Sequence, residues 1–101
     1  MPEPLGNPST SQNILQEAEA AVYGPRQAIY GHPSDDFQRT ARLWTAYLGP
    51  RCPQGVTSAD VPMLMMLLKM ARLMESPEHR DSCVDLAGYA ATYARVMRID
   101  P

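Results

Sequence analysis

Residues 61–74 read VPMLMMLLKMARLM, a stretch that is apolar on nearly every side of a helix and carries only two charges, Lys69 and Arg72. Thr57 or Ser58 stands just before it as a cap, and Asp60 suits a first helical turn. Pro62 is tolerated only near such a start, and Ser76-Pro77 stops the run. The spacing therefore predicts a helix, and its apolar surround predicts that this helix is the central one of its fold. Working outward, three further segments show helical spacing. Ile14, Leu15, Ala18 and Val22 form a stripe in a helix over about Thr10–Tyr23, capped by Ser9 or Ser11 and stopped by Gly24-Pro25. Phe37, Ala41, Trp44 and Leu48 form another, with Ser34 as the expected cap, Asp35 and Asp36 in the first turn and Gly49-Pro50 at the end. A last helix begins between Pro77 and Ser82 and reaches about Met97. No stretch alternates as a strand does, and no repeat occurs. The expectation is an all-α bundle of four helices, with residues 1–8 a flexible tail and 9–101 a single helical domain.

Size and composition agree with one modest core. The chain has 101 residues, 45% of them apolar and 20% charged. A folded chain of this mass buries about two thirds of its surface. The net charge of −2 offers no basic excess for a run of phosphates, so duplex nucleic acid is an unexpected partner. The longest apolar run, Val61 to Leu68, is 8 residues, well short of the ~18 that a membrane span needs. The start is polar and Pro-rich rather than a signal peptide, and two cysteines make no disulfide framework. A cytoplasmic protein is expected. Most of the seven methionines fall in 61–74, which suits an adaptable core. That helix is also more apolar than a bundle of this size covers easily, so a dimer or larger homo-oligomer is expected.

The polar residues within this frame mark the candidate site. Lys69 and Arg72 share a face at i, i+3 and form either structural ion pairs or a cationic wall for an anionic ligand. Asp81 and Asp85, four apart, share a face of the last helix, with Gly88 in the same row. Two carboxylates so spaced can hold a hydrated Mg²⁺, and Glu17 can extend the acidic cluster. A short link makes the last two helices antiparallel neighbours, so Lys69, Arg72, Asp81 and Asp85 are expected together at one cleft. His32 and His79 lack the spacing of zinc ligands.

Tyr30-Gly31-His32-Pro33, Phe37, Trp44, Lys69-x-x-Arg72 and His79-Arg80-Asp81-Ser82-x-x-Asp85-x-x-Gly88-Tyr89 together resemble a family of small, uncharacterised bacteriophage proteins. The match runs from about Ile14 to Tyr93. A looser similarity reaches the nucleotide-modification-associated domains and the all-α nucleotide pyrophosphohydrolases of the MazG and dimeric dUTPase group. The resemblance implies a helical, oligomeric nucleotide-handling protein in which carboxylates hold Mg²⁺ against a nucleoside triphosphate. On that reading Asp81, Asp85 and Lys69 are the catalytic candidates, and Asp85, Asp81 and Glu17 the metal ligands. Arg72, Arg80, Tyr30, His32 and Tyr89 contact the nucleotide or another phosphate-bearing molecule. The chain departs from the group at two motifs. Ser82 stands where Glu-x-x-Asp needs its Glu, and neither Glu17 (with Ala20) nor Asp36 (with Arg39) starts a Glu-x-x-Glu. These departures point to altered metal binding or to a binder without hydrolysis. The alternative is a non-enzymatic phage accessory protein that binds a host protein or sequesters a signalling nucleotide.

Overall fold

The computed structural model describes residues 11–25 and 29–101. These residues form α1 (Ile14–Tyr23), α2 (Pro33–Leu48), a 3-10 turn (Gly49–Arg51), α3 (Asp60–Glu75) and α4 (Arg80–Val96), with no strand among them. The all-α expectation holds. The expected tail, residues 1–8, lies outside the described residues.

Two helix starts differ from the sequence reading. Asn13, rather than Ser9 or Ser11, caps α1, because it has Gln16 three residues on. Asn13 Oδ1 accepts from the Gln16 amide at 2.8 Å, and Gln16 Oε1 accepts from the Asn13 amide at 2.8 Å. Ser11 has Ile14 at that distance and lacks a side chain to return the bond. His32, rather than Ser34, caps α2: its Nδ1 accepts from the Ser34 amide at 3.1 Å. Pro33, with fixed φ and no N–H to satisfy, takes the first helical position and draws the start forward. Thr57 closes the start of α3 as expected, its Oγ1 accepting from Asp60 N while its own N–H and hydroxyl donate to the Asp60 carboxylate. Gly24 ends α1, and only glycine fits there, since a Cβ would lie 2.2 Å from the Ala20 carbonyl oxygen.

The larger correction concerns the middle of the bundle. α4 packs against α1, α2 and α3, whereas α3 packs against α4 and, less extensively, α2. Val61, Pro62 and Lys69 of α3 are buried, but Met63, Leu64, Leu67, Leu68, Met70 and Met74 are exposed. The central position falls to the helix with the small residues. α4 carries Ser82, Ala87, Gly88, Ala91 and Ala94, side chains that take little room between helices, and at Gly88 the nearest neighbour is the Val22 side chain, where a Cβ would make ordinary contact at 3.6 Å. Apolar content favours burial somewhere; small side chains decide which helix can be surrounded. Past α4, Arg98 takes a left-handed φ of 64° and turns the chain so that Ile99 and Asp100 donate their amides to the Ala94 carbonyl.

Two predictions rest on these caps. Asn13→Ala should cost about 1 kcal/mol, read as a lowered melting temperature. Burial, and after it the positive charges of Arg95 and Arg98, hold the His32 imidazole below its ordinary pKa, with Asp35 opposing. The folded chain thus binds a proton at His32 less readily than the unfolded chain. At neutral pH and above, both carry the neutral ring and the full cap contribution is present. As pH falls through about 6.5 the unfolded state protonates first and stability declines, until the folded ring also protonates. His32→Asn keeps a cap acceptor without titrating, so thermal unfolding across this range should lose that part of the decline.

Candidate functional site

The last three turns of α4 form one wall of a pocket. Asp85, Gly88, Thr92 and Arg95 recur at 3-4-3 spacing and so share one face, with Tyr89 beside them. Val22 of α1 closes one side, and Asp36 and Phe37 in the first turn of α2 close another. Tyr30 enters from the link before α2, where Gly31 adopts φ 74° and turns the chain. The cavity encloses about 320 Å³.

The charges around this pocket are held in place by neighbours. Lys69 of α3 is 9% exposed and reaches across to α4, its Nζ 2.9 Å from Asp85 Oδ2. Asp85 itself is partly open to the pocket. Arg95, only 4% exposed, donates Nε–H to the Pro101 carbonyl at 2.9 Å and Nη1–H to the Val22 carbonyl at 3.4 Å. Its guanidinium lies 4.8 Å from the centre of the Tyr23 ring. The Tyr23 hydroxyl donates to Asp100, and this bond, with burial second, raises the phenol's pKa. Asp36 faces Arg39 at 3.5 Å across one helical turn.

The expected cleft residues are therefore only partly gathered. Tyr30, Asp85 and Tyr89 line the pocket, and Lys69 stands behind Asp85. Arg72 and Asp81 are exposed and enter no ion pair among the described residues. In the first turn of α4 the buried side belongs to Ser82, which leaves Asp81 about 100° round on the solvent side. Arg80 pairs with Glu17 and donates to the Gln12 carbonyl at 3.0 Å, tying the start of α4 to the start of α1. His32 serves as a cap. Arg95, Asp36 and Phe37 were absent from the expected site. The 3-4-3 continuation from Asp85 could have located Arg95, while Asp36 and Phe37 read simply as a dipole partner and a core position.

The three expected Mg²⁺ ligands, Glu17, Asp81 and Asp85, are not gathered at one place. Among the described residues no three His, Cys, Asp or Glu side chains are grouped as a metal site requires. Glu17 is committed to Arg80 and Asp85 to Lys69, and Asp81 stands apart. Mg²⁺ is commonly held by one or two carboxylates together with a ligand's phosphates, and of the three expected ligands only Asp85 lines the pocket. The pocket offers instead aromatic faces, two carboxylates that accept hydrogen bonds and one fixed positive charge. The lining thus sets apolar rings beside hydrogen-bond acceptors, the mixture typical of small-molecule pockets.

The Lys69–Asp85 pair gives a direct test. Asp85→Asn leaves a mostly buried ammonium without its counter-charge, which should cost about 2 kcal/mol, tempered by the partial exposure of Asp85. Lys69→Met with Asp85→Asn should restore part of that loss in a chemical-denaturation experiment.

Similarity to known proteins agrees with the phage resemblance read from the motifs. The chain is 40% identical over 86 residues to the Gene 55 protein of Mycobacterium phage D29, an overlap of 85% of the chain and 54% of that protein. It is 41% identical over 87 residues to the Gene 55 protein of Mycobacterium phage L5, covering 84% and 53%. The chain thus spans about half the length of these curated relatives. No solved structure matches it significantly. Residues 13–97 match the family model described as Domain of unknown function (DUF6378), which takes in all of α1 to α4, and the chain belongs to that family.

Proposed function

We propose that this phage-type domain binds a nucleotide, or another flat phosphate-bearing small molecule, in the pocket between α1, α2 and α4. One observation carries the reading: residues far apart in the chain, Tyr30, Phe37, Tyr89 and Arg95, meet around a cavity of about 320 Å³. That volume is at the lower end of small-molecule sites. Tyr30 and Tyr89 present aromatic faces to a base, and each stacked base contributes roughly 1–3 kcal/mol. Asp36 and Asp85 accept hydrogen bonds from its N–H groups. Arg95 gives the wall the positive charge that an anionic group requires. The MazG-like resemblance supports the same ligand class. The dispersed carboxylates favour binding, or sequestration of a signalling nucleotide, over Mg²⁺-dependent pyrophosphate release.

A thermal-shift series with nucleoside mono-, di- and triphosphates, each with and without Mg²⁺, tests this. A true ligand at 100 times its dissociation constant adds about 2.7 kcal/mol to stability. Tyr89→Ala should weaken that ligand tenfold or more, since the loss of one stacking partner is worth about 1–3 kcal/mol. Gly88→Ala should raise intrinsic helix stability by about 0.5–1 kcal/mol while crowding the pocket and lowering affinity. Unchanged melting with every nucleotide would refute the reading.

A second reading, an accessory protein that works through protein contacts, is favoured by a separate observation. The outer face of α3 presents large apolar side chains to solvent. A homo-oligomer or a host-protein complex would cover it. No described helix is long and apolar enough to cross a membrane.

A further inference from the structure

The charges that α4 brings to the pocket lie in series along the helix. Asp85 stands at one end, and Arg95 lies 10 residues on, about 15 Å further along the axis. Gly88, Tyr89 and Thr92 line the wall between them. Asp85 is held from behind, since Lys69 Nζ lies 2.9 Å from Oδ2 and fixes how the carboxylate is turned. Its side chain nevertheless stays 39% exposed and borders the cavity. The pocket thus has an accepting end and a cationic end. An anionic group is repelled from the first and drawn toward the second.

We infer, resting on the nucleotide reading above, that the ligand lies with its base at Asp85 and its phosphate toward Arg95, and that the base is guanine. A carboxylate accepts hydrogen bonds and donates none, so its two oxygens call for two adjacent donors. Guanine offers such an edge, because its ring N–H and its 2-amino group point the same way. Adenine and cytosine each set one amino group beside a bare ring nitrogen. Uracil and thymine set one N–H between two carbonyl oxygens. Each of these would turn a lone pair toward one oxygen of Asp85, and an acceptor left without a donor inside a pocket is costly. Lys69 takes one lone pair of Oδ2, so both oxygens can still accept. Asp36 is the weaker candidate for this role. It faces Arg39 at 3.5 Å, and that partner, 61% exposed, restrains it less than the buried Lys69 restrains Asp85.

Equilibrium titration of the full chain with nucleoside monophosphates, in the absence of Mg²⁺, tests this. Guanosine monophosphate should bind about tenfold or more tighter than the adenosine, cytidine and uridine compounds, the worth of one charge-assisted hydrogen bond. Inosine monophosphate, which lacks only the 2-amino group, should lose a similar factor. These comparisons use the wild type alone. A second arm exchanges one acceptor for a donor. Asp85→Asn, made together with Lys69→Met so that no ammonium is stranded, presents one amide N–H and one carbonyl. That variant should prefer xanthosine monophosphate, whose ring N–H and neighbouring carbonyl match it, over guanosine monophosphate. Equal affinity for all bases, a preference for adenosine, or inosine binding as tightly as guanosine overturns the guanine assignment and leaves the nucleotide reading standing. A switch to xanthosine with Asp36→Asn, and none with the Asp85 variant, overturns the role of Asp85. Failure of every nucleotide to bind overturns both readings.

Discussion

The bundle depends on close approach to α4. Its small residues allow α1 to pack against it at Val22 and Gly88 and α3 to lie alongside through Val61 and Lys69. With a larger side chain at the buried Ser82 the neighbouring helices would have to stand further off. The helix with the most moderate hydrophobicity is thus the one on which the others converge.

Because the fully buried apolar set is small, with Ala18, Ala41, Val61 and Val84 prominent in it, polar contacts have an unusual share in orienting the helices. Arg80 joins the starts of α1 and α4 through Glu17 and the Gln12 carbonyl. Lys69 joins α3 to α4 through Asp85. Arg95 joins the end of α4 to Val22 in α1 and to the Pro101 carbonyl. Each is directional, where apolar contact is not. Charged groups in such positions add little net stability but penalise other arrangements, since a slipped register would leave them buried and unpaired. Two of them, Asp85 and Arg95, also border the pocket, so the contacts that set helix register give the cavity its polarity.

The two faces of α3 divide the proposed functions. Its inner face supplies Lys69, which fixes Asp85 at the pocket; its outer face carries the exposed apolar side chains. The exposed apolar face and the pocket are therefore on different sides of α3. The longer phage relatives, of which the chain covers about half, have further sequence with which either surface could work.

Local chemistry alone determined much of this protein. Helical spacing located all four helices, and Gly24, Gly49-Pro50 and Ser76-Pro77 located their ends, because stop signals act through the backbone of the residue itself. A cap at Thr57, one of two candidates, and the opposition of Lys69 to Asp85 were legible for the same reason, resting on spacing within a helix and one short link, whereas Tyr30 and Tyr89 were singled out by the family resemblance. Tertiary structure decided the rest. That α3 leaves its large apolar residues exposed, that Arg80 pairs with Glu17, and that Arg95 and Asp36 join the pocket all depend on which helices come close. Close approach is governed by small side chains and the rotation of each helix about its axis, which periodicity leaves undetermined by about one residue, or 100°. That single step separates a buried Ser82 from an exposed Asp81.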